Sequence, residues 1–378
     1  MSSVGPTIEE VRRRLAARTL ELVDVPSESG DEGAMLEAIR TRLPDRFEVL
    51  DDRDTVLFAV PGELRPGAPF VVLAGHVDTV PDAGTLPGSS DGDVVLGRGA
   101  ADMKGALAVM VELAEELARR PQAELEVGLC FFGREELPWT KSALMPLFDR
   151  CPPITTADLA IVMEPTGNAI EIGCLGNLNA TVTIEGRAAH SARPWQGENA
   201  IHGAIAALAP LADLPDRDVT IDGLTYREVL NVTTIEGGVA ANVIPDRVRA
   251  RVNYRYAPGH TPREAEDRLR ELLEPSGADV LIDGNAPPGP VNLENPLVDR
   301  LRVAGELAVR SKQAWTPVAE FAVGGVDAIN FGPGDPQYAH RDDERVEVDA
   351  LVRCLDVMRR FIGSHDFGAA DERGEAAS

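Results

Sequence analysis

Short apolar runs alternate with amphipathic segments along the first half of the chain. The runs VLFAV, PFVVLAG, LEVGLCFF and DLAIVM are continuous, which is typical of strands buried on both faces. Residues 104–119 carry apolar side chains on one helical face, and residues 7–23 predict a helix that begins with the capping box Thr7–Glu10. This order predicts an α/β domain with a mostly parallel central sheet and helices on both faces.

The pattern changes near residue 177. From residue 179 to residue 283 the order is strand, helix, strand, strand, helix, strand, which predicts a ferredoxin-like α+β domain. The Pro/Gly-rich segment 284–290 then predicts a linker that returns the chain to the first domain. We therefore expect the second domain to be inserted into the first.

A chain of 378 residues is long enough for two domains. We expect the first domain to comprise 1–177 and 289–363, and the inserted domain to comprise 178–288. The polar segment 364–378 is expected to be a disordered tail.

The net charge argues against two classes of partner. With 37 basic and 62 acidic residues the net charge is −25, which disfavours nucleic acid and anionic membrane surfaces. No apolar run reaches the roughly 18–20 residues of a membrane-spanning helix. The amino-terminal segment lacks the apolar region of a secretion signal, and the four cysteines form no C-x-x-C motif. We therefore expect a cytoplasmic protein with reduced thiols.

Histidine and carboxylate side chains recur where predicted strands end or where a predicted helix begins. They are His76, Asp78, Asp102, Glu135, Glu136, Glu164 and His340. Taken singly, each also fits a simpler role, such as a surface His–Asp pair, a helix N-cap or a solvated pair of glutamates. Together they indicate one edge of the predicted sheet, where the carboxyl ends of parallel strands meet.

Five of these residues predict a metal centre: His76, Asp102, Glu136, Glu164 and His340. Imidazole and carboxylate ligands suit Zn²⁺, with Co²⁺ or Mn²⁺ as substitutes. Five ligands are too many for one tetrahedral ion that keeps an open position, so two ions that share Asp102 fit better. Of the adjacent glutamates 135 and 136, one could bind metal while the other acts as a base.

Several sequence blocks between residues 25 and 362 resemble one known family, the dinuclear zinc deacylases and peptidases. The blocks are VPSESGDE, GHVDTVP, GRGAADMKGALA, GREELP, MEPT, GRAAHSARPWQGENAIH, NVIPD and FGPGDPQYAH. The resemblance implies that His76 and Glu164 hold one metal ion and that Glu136 and His340 hold the other. It implies that Asp102 bridges the two ions.

The resemblance also implies roles beyond the metal ligands. Asp78 would orient His76, and Glu135 would be the general base. The inserted domain would serve as a lid and as the dimerisation domain of a homodimer. His190, on this domain, would reach the partner subunit's active site and help to hold the scissile carbonyl.

Four further residues match positions of the substrate pocket in this family. Asn242 and Arg255 match positions that bind carboxylate groups, and Thr316 and Gly332 are weaker candidates. The segments around His190 and His340 look closer to the succinyl-diaminopimelate desuccinylases than to the acetylornithine deacetylases. This implies hydrolysis of N-succinyl-LL-2,6-diaminopimelate to succinate and LL-2,6-diaminopimelate. The alternative is an acetylornithine deacetylase, or another N-acyl amino-acid deacylase or carboxypeptidase of the family.

The chain departs from the desuccinylase pattern at three places. Cys174 and Leu175 are uncharged where a basic residue is expected, Pro317 replaces an acid, and the segment 137–139 reads Leu-Pro-Trp. These positions concern the substrate, because none of them is a predicted ligand. Two other functions are alternatives. One is that of a non-catalytic relative that binds metal ions without turnover. The second is that of a serine hydrolase, based on the motif GSSDG at 88–92. The second needs a strand before the serine and a helix after it, whereas the flanks predict a loop and a strand.

Overall fold

The computed structural model describes residues 6–119 and 123–363, and the predicted tail lies outside them. The helices are α1 Ile8–Val23, α2 Gly33–Arg40, α3 Gly105–Arg119, α4 Met145–Arg150, α5 Ala200–Ala212, α6 Pro262–Leu273, α7 Pro296–Gly305, α8 Val318–Val323 and α9 Val348–Ile362. The strands are β1 Glu48–Asp51, β2 Val56–Val60, β3 Phe70–His76, β4 Ser89–Ser90, β5 Val94–Leu96, β6 Glu126–Phe132, β7 Leu159–Val162, β8 Ile170–Ile172, β9 Gly176–Glu185, β10 Ala189–His190, β11 Arg217–Ile221, β12 Leu224–Gly237, β13 Val243–Ile244, β14 Arg247–Tyr256, β15 Asp279–Ala286, β16 Val309–Ser311, β17 Ala328–Asn330 and β18 Arg345–Glu347. Among the described residues, no helix combines the length and the apolar character that crossing a bilayer requires.

Contacts divide the described chain into two units. The first consists of the described parts of Met1–Ile172, Asn292–Arg310 and Glu320–Ser378. The second consists of Gly173–Val291 and Ser311–Ala319. The segment predicted as the inserted domain falls within the second unit, and Ser311–Ala319 joins it from a part of the sequence assigned to the first.

An eight-stranded sheet forms the centre of the first unit, in the order β1-β2-β6-β3-β7-β17-β8-β16. Its four central strands β6, β3, β7 and β17 run parallel, as expected from their continuous apolar sequences. Both β3 and β6 are buried along their whole length. The pairs β1–β2, β2–β6 and β8–β17 are antiparallel. For β1 and β2 the connection is too short for a parallel crossover.

Helices α1, α3 and α9 contact one another in the first unit. Two acidic side chains of α3 are buried between them and are bonded by arginines of the neighbouring helices. Guanidinium nitrogens of Arg14 and Arg18 lie 2.6 and 2.9 Å from the carboxylate of Glu112. Nε and NH2 of Arg359 donate to the two carboxylate oxygens of Glu116. Each pair leaves a buried carboxylate compensated, which is the condition for burying a charge.

The second unit is built on a five-stranded antiparallel sheet in the order β11-β12-β14-β9-β15. Alternate residues of β9 and β14 are buried, and they form one apolar core with α5 and α6. The short strands β10 and β13 form a separate pair that was not predicted. In the five-stranded sheet the predicted order of strands and helices is confirmed, with one strand more than predicted. This strand, β11, forms a hairpin with β12 through Asp222 and Gly223, which both have positive φ. An Asp-Gly pair between β-rich segments is a hairpin signal that the sequence already contained.

All four cysteines are free and buried. Burial raises the pKa of each thiol above its ordinary value. The expectation of buried, unpaired thiols is therefore confirmed for the described chain.

Glu320 in α8 is buried, and its Oε1 has no hydrogen-bond partner among the described residues. Burial raises its pKa to about 7. Between pH 4.5 and pH 7 the native state therefore holds a proton that the unfolded chain has lost, so stability falls as pH rises through this window. Through Glu320, the free energy of unfolding of the wild type is expected to fall by about 3 kcal/mol between pH 4.5 and pH 8. Glu320→Gln is expected to abolish this fall.

This prediction can be measured by urea denaturation of the metal-free protein at pH 5 and pH 8. The stability gain of the Gln variant over wild type should be larger at pH 8. Glu271→Gln, at an exposed position of α6, is the matched control and should show no such difference. An equal effect of Glu320→Gln at both pH values would contradict the prediction.

Candidate active site and metal centre

The predicted ligands gather at one edge of the parallel sheet. His76 is the last residue of β3, and Glu164 lies two residues beyond β7. Glu135 and Glu136 follow β6, and His340 lies in the connection after β17. Because these four strands are parallel, their carboxyl ends meet, and the side chains that follow them converge.

His76 stands at the centre of the first group of donor atoms. Its Nε2 lies 2.9 Å from Oδ1 of Asp102 and 3.9 Å from Oε1 of Glu164. Burial by itself would lower the pKa of His76, but the hydrogen bond to Asp102 and the nearby negative charges outweigh it and raise the pKa. His76, Asp102 and Glu164 form a group that could hold one metal ion.

His340 belongs to a second group that shares Asp102 with the first. Its Nε2 lies 2.9 Å from Oε1 of Glu136 and 3.5 Å from Oδ2 of Asp102. Hydrogen bonds to these two carboxylates raise the pKa of His340 to about 10. Asp102, Glu136 and His340 could hold a second ion. Asp102 therefore offers one oxygen to each group.

Asp78 holds the turn that carries the two adjacent glutamates. Its Oδ1 accepts the backbone N–H of Glu135 and its Oδ2 accepts that of Glu136, each at 3.1 Å. The Ser29 hydroxyl donates to Oδ2 at 2.7 Å. The nearest acceptor for Nδ1 of His76 is the backbone oxygen of Asp78 at 2.9 Å, whereas its carboxylate lies at 3.7 Å. The geometry thus links Asp78 to His76 mainly through the main chain.

Glu135 lies beside donor atoms of both groups. Loss of hydration raises its pKa well above the ordinary value, and the negative charges of Glu164, Glu136 and Asp78 raise it further. A third group of donors contains His76, Glu135 and Glu136. The residues at this edge therefore form one crowded, acidic cluster.

Three supporting residues near the cluster were not predicted individually. Buried Glu32 accepts the backbone N–H groups of Gly30 and Arg134 at 2.8 and 3.2 Å. Buried Lys104 donates to the carbonyl of Val25 at 2.8 Å, and burial lowers its pKa to about 8. Buried Glu344 accepts the backbone N–H of Asp102. Glu32 and Lys104 lie in blocks that carried the resemblance, but no sequence spacing indicates what they touch.

The predicted residues His190 and Asn242 are neighbours in the second unit. His190 in β10 pairs with Val243 of β13, and the N–H of Ser191 donates to the carbonyl of Asn242 at 2.9 Å. Both residues are exposed. Nδ1 of His190 accepts the N–H of Ala192 at 3.0 Å, which leaves its Nε2 to face a ligand on the surface of this unit.

Arg255 and Thr316 also lie in the second unit. Arg255 is half-buried in β14, and its Nε donates to Oδ1 of Asn253 at 3.0 Å. Burial lowers the pKa of its guanidinium group, and no carboxylate of the described chain counteracts this. Thr316 is buried, with its carbonyl 3.6 Å from the sulfur of Cys174. Gly332 lies in the first unit, where its N–H donates to Oγ1 of Thr166.

The serine motif at 88–92 does not form a nucleophile elbow. Ser89 and Ser90 form the short exposed strand β4, which is followed by strand β5 rather than by a helix. The arrangement lacks the strand–turn–helix geometry that the serine mechanism requires.

The donor set fits two divalent cations. Two imidazoles and three carboxylates supply the nitrogen and oxygen ligands that Zn²⁺ accepts. The carboxylates are close enough to raise the pKa of both histidines and of Glu135, which shows an excess of negative charge at this edge. Positive ions shared through Asp102 would balance that charge.

Comparisons with known proteins were consistent with one another. Residues 72–364 match the model of peptidase family M20/M25/M40. A Mycobacterium tuberculosis protein provisionally named succinyl-diaminopimelate desuccinylase is 40% identical over 353 residues, covering 91% of this chain and 97% of the relative. The Corynebacterium glutamicum succinyl-diaminopimelate desuccinylase is 37% identical over 355 residues, covering 91% and 95%.

The fold is similarly shared with solved structures. The aminopeptidase PepT from Bacillus cereus superposes with a TM-score of 0.77 at 20% identity, covering 93% of this chain and 98% of that chain. At this identity the similarity establishes the α/β fold, and the chemistry must be argued from the site itself.

Gly332 approaches the backbone that carries Glu164. A Cβ atom at this position would lie 2.3 Å from the carbonyl oxygen of Met163 and 2.6 Å from that of Glu164. Gly332→Ala is expected to displace this backbone, to cost about 1–3 kcal/mol of stability and to weaken divalent-ion binding. Thermal denaturation with EDTA and titration with Zn²⁺ measure the two effects.

Gly33→Ala is the matched control, because nothing lies within 4 Å of the added Cβ in α2. It should leave both stability and ion binding intact. Wild-type ion binding by a stably folded Gly332→Ala variant would show that the close approach does not position Glu164.

Proposed function

The chain belongs to peptidase family M20/M25/M40, and from this premise we propose that it hydrolyses N-succinyl-LL-2,6-diaminopimelate to succinate and LL-2,6-diaminopimelate. The observation that carries the proposal is the pair of His/carboxylate groups joined at Asp102, with Glu135 beside them. The relatives at 40% and 37% identity are named for this reaction. The chain is therefore a metal-dependent amide hydrolase with a small N-acyl amino acid as its substrate.

The proposal assigns two Zn²⁺ ions to the cluster, with Co²⁺ or Mn²⁺ as substitutes. His76 and Glu164 would hold one ion, Glu136 and His340 the other, and Asp102 both. When bound, such ions polarise a carbonyl group and lower the pKa of a nearby water.

Glu135 would move the proton in this reaction. It takes one proton from the attacking water while the water oxygen forms a bond to the amide carbon. It then gives the proton to the leaving amine as the C–N bond breaks, so a carboxylic acid and a free amine result. The position of Glu135 supports this role. Asp78 accepts its backbone N–H, and the carboxylate of Glu135 is not a member of either donor group that contains Asp102.

We propose that Arg255 binds a carboxylate of the substrate. Its guanidinium group is half-buried, and no carboxylate among the described residues is bonded to it, which favours an anionic ligand there. Asn242, Thr316 and Gly332 are proposed as further parts of the pocket, and His190 as the donor to the scissile carbonyl. Asp78 is proposed to orient His76.

The second unit offers a surface for a homodimer. Strand β11 covers only Leu224–Glu228 of β12, so the segment 229–237 has an unpaired edge among the described residues. Exposed apolar side chains lie on this segment and on the adjacent helix α5; they are Ile201, Ile205, Val232 and Ile235. We propose that a second copy of the chain pairs with this edge and brings its His190 to the active site. The free, buried thiols support a cytoplasmic location as part of the proposal.

Glu135→Gln is expected to keep metal content while kcat falls by roughly 10²–10⁴-fold, because only the proton carrier is lost. Elemental analysis and turnover of the succinyl substrate measure the two quantities. Glu271→Gln, the same change at an exposed position of α6 outside the cluster, is the control and should leave turnover close to wild type. Near-normal turnover of Glu135→Gln would overturn the base assignment.

The substrate is tested with one mixture offered to the Zn²⁺-loaded enzyme. It contains N-succinyl-LL-diaminopimelate, N-acetylornithine, several N-acetyl amino acids and a dipeptide, and mass spectrometry follows each component. Selective loss of the succinyl compound, abolished by EDTA, supports the proposal. Loss of another component would identify the alternative deacylase or peptidase, and two bound ions without any turnover would favour the non-catalytic relative.

The role of His190 across the interface is tested by mixing two inactive variants, His190→Ala and Glu135→Gln. In a mixed dimer, one active site combines an intact Glu135 with an intact His190 from the other chain. Random exchange of equal amounts should therefore restore about one quarter of wild-type activity. No recovery, despite mixed dimers detected by native mass spectrometry, would show that His190 does not act across the interface.

A further inference from the structure

A buried ion pair next to the metal cluster takes no part in the proposed chemistry. Arg98 is 4% exposed and Glu344 is 1% exposed. The guanidinium NH1 of Arg98 lies 2.9 Å from Oε2 of Glu344. Burying two charges is costly unless their hydrogen bonds are well satisfied, so the contacts of this pair are informative.

The other oxygen of Glu344 holds the main chain at the shared ligand. Oε1 accepts the N–H of Ala101 at 3.2 Å and that of Asp102 at 3.1 Å. Asp102 contributes an oxygen to each of the two groups of donors. Glu344 therefore acts on the one residue that both candidate metal positions have in common.

The pair also holds the segment that carries His340. NH1 of Arg98 donates to the carbonyl of Arg341 at 3.2 Å, directly after His340. The N–H of Gly97 donates to the carbonyl of Glu344 at 3.0 Å. The pairing of β18 with β5 places the two segments side by side.

We propose that Arg98 and Glu344 are a positioning pair that sets the distance between Asp102 and His340. Through this distance the pair controls the affinity of the position formed by Asp102, Glu136 and His340 for its ion. The inference rests on the metal centre of the proposed function. Outer partners of metal ligands influence affinity in this way because they fix the orientation of the ligands.

Glu344→Gln is the main test, since it keeps the volume of the side chain. The amide has one oxygen, so it can face either the two backbone N–H groups or Arg98, but not both as an acceptor. Affinity for the ion at Asp102, Glu136 and His340 is expected to fall by about 10–100-fold, with a smaller fall for the other ion, because both ions share Asp102. Calorimetric titration of the metal-free protein with Zn²⁺ measures this, and the visible spectrum with Co²⁺ reports the change in ligand geometry.

Glu116→Gln is the matched control, because it breaks another buried ion pair of the same unit away from the cluster. Glu116 is 4% exposed and its partner Arg359 is 8% exposed. This variant should lower the unfolding temperature while both Zn²⁺ affinities stay at the wild-type value. A structural role alone would give Glu344→Gln the same behaviour.

Arg98→Met and Arg98→Lys provide a second route if Glu344→Gln does not fold. The Met variant should lose affinity for the same ion, and the Lys variant should recover part of it by keeping the charge. Two ions bound at wild-type affinity in the folded variants would overturn the inference. A wild-type protein that binds no ion would overturn the proposed metal centre instead, so the two failures are distinguishable.

Discussion

Repulsion among carboxylates is the constraint on which the active-site edge depends. Asp78, Asp102, Glu135, Glu136 and Glu164 converge at this edge, and burial together with the charges of Glu164, Glu136 and Asp78 raises the pKa of Glu135. Such an arrangement persists only if the surrounding structure holds each group in place. Asp78 and Glu164 each lie two residues beyond a buried strand, β3 and β7 respectively, and these strands cannot move without disrupting the core. The others are fixed by backbone contacts that a buried acid accepts.

The supporting contacts follow one principle, in which an acidic side chain holds the main chain of another acidic residue. Asp78 accepts the N–H groups of Glu135 and Glu136, and Glu344 accepts that of Asp102. A carboxylate bonded to N–H groups is stabilised in its charged form. The contact helps to lower the pKa of Asp78, whereas burial raises the pKa of Glu344 despite its two N–H donors. What the two acids share is therefore the positioning of a neighbouring acidic residue.

The sequence predicted the parts of this design that depend on order along the chain. The apolar runs before His76 and Glu164 identified the strands, and the parallel sheet then placed both residues at one edge. Contacts between distant segments could not be predicted in the same way. Glu344 reaches Asp102 across more than two hundred residues, and nothing in its local sequence distinguishes it from a solvated acid. Strand β11 could have been predicted, because the Asp-Gly pair of its turn is a local hairpin signal.

The central sheet is completed by a strand from far along the chain. Ala328 of β17 pairs with Ala160 of β7, and His340 follows β17. During synthesis the ribosome releases β3, β6 and β7 long before β17 exists, whereas Gly173–Val291 is a continuous stretch that emerges in between. The second unit can therefore gain most of its structure while the first still lacks a central strand. Under the proposed assignment, the second set of ligands is complete only after His340 has left the ribosome, so full metal loading is expected to be a late step in the maturation of each chain.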